Sequence, residues 1–350
     1  MMLVISLMFI LPLLSSGPFW HRVVEREIQH CRTTWWANMF YFNNFIRKNS
    51  SCIPPLWYVA ADMQLYLLSP ILLVAFSRWP RVGWSLSIIG VVTSWFVIAV
   101  ITIWKDFPPS NNFLSSDIDK IIDMEFHIHW KPYVHMGPYI VGLTTGYVLL
   151  NHQNIKLSPV AVVVGWIVTT LSTLAVVFGA YSWMNGIRPN VVVGILYAAV
   201  HRTVFALGLA WITFACFKGY GGPVNALLSW QPFIVLGRLT YMAYLVHSLV
   251  IFVVVGTTKE RKFFSHFELV CSFLVYLVLS TAISLLLHLV FERPFIKLEQ
   301  GLFPEPRSLA PAHNSSPVNQ EEVEIGRVVS LVETARCPQT NENSIITSKL

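Results

Sequence analysis

Seven runs of nearly continuous apolar residues constrain what this chain can fold into more than any other feature of its sequence. They fall at 57–77, 84–104, 133–150, 159–180, 194–216, 233–256 and 268–291, with a shorter one at 1–14. Hydrocarbon about 30 Å thick is crossed by roughly 20 residues of α-helix, so each long run suffices for one crossing. Membrane β-strands would instead alternate in segments of roughly ten residues. The expected class is therefore all-α: a polytopic transmembrane helix bundle of about eight helices, the first one incomplete. A charged fraction of only 12% and a mean hydropathy of +0.58 exclude an ordinary soluble domain.

Tryptophans at or near the run ends (Trp57, Trp79, Trp84, Trp104, Trp130, Trp230) fit interfacial belts, where the ring is buried and the N–H stays wet. The net charge of +6 forms no basic stripe interleaved with aromatics outside the helices, so no nucleic-acid partner is expected and membrane lipids are. Met1 to Leu14 has no basic n-region, and Ser15-Ser16-Gly17 matches a cleavage site only loosely. It reads as a helix cut short rather than a signal peptide.

With a cytosolic N-terminus, segments 15–56, 105–132, 181–193 and 257–267 lie on the lumenal or extracellular side of a plasma membrane or endomembrane. They carry 5, 3, 1 and 3 Lys or Arg, against Arg78, Arg81, Lys156 and Lys218 in the opposite loops, so the positive-inside rule does not favour this orientation. Cys31, Cys52 and the sequon Asn49-Ser50-Ser51 do favour it. In an oxidising compartment the two cysteines can close a disulfide and Asn49 can carry a glycan; two free thiols and a chance sequon are the alternative. The membrane-embedded domain is assigned to 1–300, with 15–56 as its extracytoplasmic Cys-containing loop. The Pro-, Ser-, Asn- and Glu-rich stretch 301–350 reads as a disordered cytosolic tail.

Ionisable groups within spans cost a few kcal/mol each, so every one is a functional candidate. Tyr58, Asp62 and Tyr66 recur every fourth residue on one helix face, with Gln64 and Ser69 nearby. Asp62 can orient a base or hold an acceptor hydroxyl; a packing hydrogen bond is the alternative. Thr240, Tyr244 and His247 form a second stripe, in which His247 has the side chain suited to proton transfer near neutrality. Arg202, after His201, can hold a phosphate or a carboxylate. His288 and Glu292 are spaced for a helix-end ion pair. His127-Ile128-His129 has no Cys or carboxylate at useful spacing, so no metal site is assigned.

A set of short motifs recurs in order along the chain. It runs from Ser16-Gly17-Pro18-Phe19-Trp20 through Cys31, Thr34-Trp35-Trp36-Ala37-Asn38, Asn43-Asn44, Cys52, Trp57-Tyr58 and Asp62-Met63-Gln64 to Ser69-Pro70. It continues with Lys131-Pro132-Tyr133, Gly137-Pro138-Tyr139, Arg202, Gly219-Tyr220-Gly221-Gly222-Pro223, Leu239-Thr240-Tyr241, Tyr244-Leu245-Val246-His247 and Phe291-Glu292-Arg293-Pro294. Over about residues 3–300 these resemble the nose resistant to fluoxetine group of the acyltransferase type 3 membrane protein family. His135-Met136 stand where that family usually has an Arg before Gly-Pro-Tyr.

The resemblance implies transfer of an acyl group from a thioester donor, acyl-CoA, to the hydroxyl of a lipid or glycan acceptor, with no bound cofactor. It also implies a general base on a His of an earlier helix. The residues here begin within what resembles the next helix, so the chain reads as N-terminally truncated. His247 and Asp62 are then the remaining catalytic candidates, with Tyr58, Gln64, Tyr66, Arg202 and Tyr244 binding substrate. Two other readings compete: a non-catalytic membrane protein that binds or moves lipids or small hydrophobic molecules, and a seven-span receptor, which the ordered motifs do not favour.

Overall fold

The computed structural model describes residues 1–302, apart from 47–50, 111–117, 153–154, 186, 188–189 and 261–264. The proposed glycan acceptor Asn49 and nearly all of the tail at 301–350 lie outside the described residues. Among the described residues there are helices and no strands. The short first helix is α1 (Met2–Leu14), followed by a π-helical turn (His21–Glu25) and α2 (Arg26–Met39). The membrane bundle then consists of α3 (Trp57–Arg78), α4 (Pro80–Trp104), α5 (Ile118–Met124), α6 (Pro132–Asn151), α7 (Pro159–Phe178), α8 (Tyr181–Met184), α9 (Val191–Phe217), α10 (Gly222–Leu228), α11 (Gln231–Thr257) and α12 (His266–Leu287). A second unit, from Phe295 onward, is described only for the remainder of α13 (Arg293–Leu302).

Proline starts these helices. Pro80, Pro132, Pro159, Pro223 and Pro232 each sit in the first turn, where the missing N–H would have had no partner and the fixed φ already suits a helix. Ser158, Asn190 and Ser265 add side-chain caps, accepting from the backbone N–H of Ala161, Val192 and Glu268.

Six helical stretches among the described residues are long and apolar enough to cross a membrane; they contain α3, α4, α7, α9, α11 and α12. The protein is a polytopic helical membrane protein. The seventh run, 133–150, is also a helix, but α6 carries His135, Gly137, Pro138, two threonines and three tyrosines and is less apolar. Its packing explains the difference: α6 lies against α3, α4 and α9, so protein rather than lipid meets much of its surface.

The segment 15–56 departs from its reading as a loop. It folds into the π-helical turn and α2, then returns through 3-10 turns at Asn43–Phe45 and Pro54–Leu56. Hydrophobic pattern gave no sign of α2, because its buried face is short and partly polar: Glu27, Ile28, Cys31, Ala37 and Asn38. Covalent and polar contacts hold it instead. Cys31 and Cys52 are joined in a disulfide, and the Asn38 amide donates to the Cys52 carbonyl at 3.4 Å.

Two buried clusters form within the bundle. One gathers Val4, Met8, Val24, Ile28, Leu56, Leu245, Val246 and Leu249, uniting α1, α2, the disulfide and α11. The other gathers Ile98, Phe107, Met124, Ile128, Val134 and Ala198, uniting α4, α5, α6 and α9. Helix α11 packs on α12, α1 and the π-helical turn, whereas α3 packs on α4 and α6.

Candidate functional site

The two groups of helices meet beside the disulfide. After Cys52 the backbone turns through Ile53 in a left-handed conformation (φ +48°), unusual for a β-branched residue and held here by complete burial of the side chain. The 3-10 turn that follows presents the Pro55 carbonyl to α11, where it accepts a hydrogen bond from the Tyr244 hydroxyl. One residue into α3, the Tyr58 ring lies 5.2 Å from the Tyr244 ring, and Tyr244 lies 5.5 Å from the His247 ring.

The orientation of His247 sets what it can do. Its Nδ1 stands 2.5 Å from the Tyr244 carbonyl oxygen, which can only accept, so Nδ1 carries the proton and donates it. In the tautomer with the proton on Nδ1, Nε2 carries the lone pair. Asp62 follows Tyr58 by one helical turn, is exposed, and has no hydrogen bond or ion pair to any described residue. Tyr66 is exposed a further turn along, and its carbonyl accepts from Ser69 Oγ at 2.7 Å. The structure thus brings Tyr58, Asp62 and Tyr66 onto one face of α3 and joins the first of them to Tyr244 and His247 on α11.

Gln64 has a different situation. Its amide nitrogen donates to the Tyr41 carbonyl at 2.7 Å and to Asn44 Oδ1 at 3.0 Å, while its oxygen accepts from Asn44 Nδ2 at 3.0 Å. The whole amide clamps the Cys-bearing segment onto α3.

Arg202 lines a cavity about 270 Å³ in volume, walled by α4, α5 and α9 and by the loop at Pro108–Ser110. Its guanidinium has no hydrogen bond or ion pair to any described residue. His201 is held by Nδ1 donating to the Tyr197 carbonyl at 2.7 Å and lies flat on the Tyr197 ring at 4.8 Å. His129 lines the same cavity and packs 4.6 Å from Trp57, which stacks on His135 at 5.2 Å. A row of rings (His247, Tyr244, Tyr58, Trp57, His129) therefore links the two places. Sequence reasoning did not single out Trp57, His129 or His135 for this; the signal was the His135-Met136 departure within an otherwise matching motif. His127 and His129 turn to different neighbours, His127 pairing with Asp123 at 3.0 Å. His288 and Glu292 form an ion pair of 2.9 Å near the end of the last span.

The sequence model of an acyltransferase domain matches residues 2–289. This chain belongs to the acyltransferase type 3 family. Within that family it is similar to Nose resistant to fluoxetine protein 6 of Caenorhabditis elegans, with 31% identity over 304 residues, covering 83% of this chain and 36% of the relative. It is also similar to Regulator of hypoxia-inducible factor 1 of the same organism, with 24% identity over 304 residues, covering 82% of this chain and 59% of the relative. The chain thus spans between about a third and three fifths of the curated relatives it matches. No solved structure matches it. The six apolar spans among the described residues make this an integral membrane protein, and its family is that of acyltransferase type 3 domains.

Proposed function

We propose that this acyltransferase type 3 protein transfers an acyl group from acyl-CoA to the hydroxyl of a lipid or glycan acceptor at the Tyr58, Asp62, Tyr244 and His247 cluster. The observation that carries the reading is the His247 ring, fixed by its Nδ1–H on the Tyr244 carbonyl so that Nε2 is available as a base. In the proposed step Nε2 takes the acceptor's hydroxyl proton as its oxygen forms a bond to the thioester carbon. The C–S bond then breaks, and the imidazolium returns its proton to the departing thiolate. Asp62 holds the acceptor hydroxyl or stabilises the imidazolium. The Tyr58 hydroxyl is suited to donate to the tetrahedral oxyanion, because that of Tyr244 is already engaged with Pro55.

The test is CoA release and label transfer in membranes containing the full chain, supplied with radiolabelled acyl-CoA and a phospholipid mixture. A general base contributes roughly 10²–10⁴-fold, so His247→Ala should lose at least about a hundredfold. Equal release by wild type and His247→Ala would sink the assignment. Saturable lipid binding without any transfer would favour the non-catalytic reading.

A further inference from the structure

Arg202 stands in α9 with five N–H donors and, among the described residues, neither a carboxylate nor any hydrogen-bond acceptor on them. A structural arginine inside a helical bundle is ordinarily paired, because an unpaired guanidinium in a low-dielectric setting is expensive. Here the side chain borders open space instead. The cavity beside it, about 270 Å³, is near the lower edge of the roughly 300–1,000 Å³ typical of ligand pockets. Its apolar side is Ile98, Met124 and Ile128, part of the second buried cluster; its polar side is His129, His201, Tyr197, Ser110 and Arg202. No acidic side chain is among the described residues that line it.

This donor set selects its occupant by charge and shape. A metal ion would meet a permanent positive charge with no carboxylate among the described lining residues to offset it, so a cation is disfavoured. An anion supplies the counter-charge that no described residue gives Arg202, and a charge-assisted pair with guanidinium is among the stronger hydrogen bonds. A planar carboxylate needs only the arginine. A tetrahedral group presents further oxygens, one of which the Ser110 hydroxyl in the same lining can meet as a donor. The volume takes one such group but not an acyl chain. Its lining at Pro108–Ser110 and His129 lies at the same end of the bundle as the Cys31–Cys52 disulfide, as the contact of His129 with Trp57 at the start of α3 requires.

We infer that the Arg202 cavity is a binding site for a phosphate group carried by the protein's ligand. The ring row from Trp57 through Tyr58 to Tyr244 and His247 then gives that ligand a direction: phosphate at Arg202, remainder along the aromatic edge toward His247. Naming the ligand as the acyl acceptor rests on the acyl-transfer reading above. The phosphate site itself does not, and it is tested by binding rather than by turnover.

The experiment uses the full chain in nanodiscs of neutral phosphatidylcholine and measures binding of radiolabelled dioctanoyl phosphatidate, with dioctanoylglycerol as the uncharged counterpart and inorganic pyrophosphate as a soluble competitor. Phosphatidate should bind at least about tenfold more tightly than the glycerol lipid, since a charged hydrogen-bonded pair is worth about that much. Arg202→Gln should abolish the preference, and Arg202→Lys should keep part of it. Ser110→Glu leaves every span residue in place and puts a carboxylate into the cavity; it should reduce phosphatidate binding at least about tenfold through the same competition. It serves as the test if Arg202→Gln does not fold. Competition by pyrophosphate would assign the site to soluble phosphates; its absence, with phosphatidate bound, would assign it to a lipid headgroup. Equal binding of the charged and uncharged lipids, or phosphatidate binding unchanged in Ser110→Glu and in the folded Arg202 variants, would overturn the inference, whatever the acyl-transfer assay reports.

Discussion

Lys131 Nζ donates a 2.8 Å hydrogen bond to the backbone carbonyl of Asn44, 87 residues earlier in the chain. The ammonium also lies 4.0 Å from the Phe126 ring centroid and 4.6 Å from that of Phe45. One lysine thus holds the Cys-bearing segment to the start of α6, with no carboxylate on it among the described residues.

A pH dependence follows from this burial, which pulls the Lys131 pKa down from its ordinary 10.5 to about 8. In the unfolded chain the lysine keeps its proton up to the ordinary value, so between about pH 8 and 10.5 the folded state alone has lost it. The unfolded state then binds more protons, and stability rises with pH across that window. Thermal unfolding of the wild type in detergent should therefore gain on Lys131→Met as pH is raised from 7.5 to 9.5. A constant difference between the two would show that the site is not desolvated.

The Cys31–Cys52 disulfide closes a loop of sequence separation 21 around α2. Chain-entropy reasoning puts its contribution at about 3 kcal/mol. Cys31→Ser, or reduction in mild detergent, should lower unfolding stability by about that amount and expose α2 to proteolysis first. Unchanged proteolytic order would mean that Gln64 and Lys131 alone fix the segment.

Gly17 lies against the end of α11, where Phe19 N–H donates to the Gly256 carbonyl at 3.3 Å. A methyl group built on Gly17 would sit 2.4 Å from that carbonyl oxygen and 2.7 Å from the Thr257 Cα. Both obstacles are backbone and cannot rotate away. Gly17→Ala should cost about 1–3 kcal/mol by overpacking, readable as a lowered melting temperature; a neutral substitution would disprove the close approach.

Asp62 separates structural from functional roles because it has no partner among the described residues. If it served packing, Asp62→Asn would weaken the fold. The expected outcome is the opposite: unchanged or slightly higher stability, by up to about 3 kcal/mol on insertion scales, together with loss of acyl transfer. Lower stability in Asp62→Asn would return the residue to a packing role.

Long spans were legible in the sequence because lipid imposes one requirement, apolar length, on each of them; α3, α4, α7, α9, α11 and α12 all coincide with runs read there. Helix α2 was not, since its order comes from Cys31, from Asn38 and from contacts that close over long sequence distances, none of which leaves a periodic trace. The same distinction applies to the site. The spacing of Tyr58, Asp62 and Tyr66 follows from helical geometry alone, but the junction of Tyr58 with Tyr244 depends on how Pro55 meets α11. Gln64 shows the limit of reading polarity as function: at the same helical position a substrate contact and an internal clamp look alike until Asn44 and Tyr41 are seen beside it.

The division of the buried side chains into two clusters bears on how a substrate arrives. Helix α3 places Val59 against the first cluster and packs on α4 and α6, which help build the second; it meets α11 through the rings of Tyr58 and Tyr244, with Asp62 and Tyr66 exposed along it. An exposed face on a spanning helix is one that acyl chains can reach. On the proposed function, a molecule dissolved among the acyl chains would reach Asp62 by lateral diffusion, without leaving the hydrocarbon, and the selection made there would be by membrane partitioning before it is by fit.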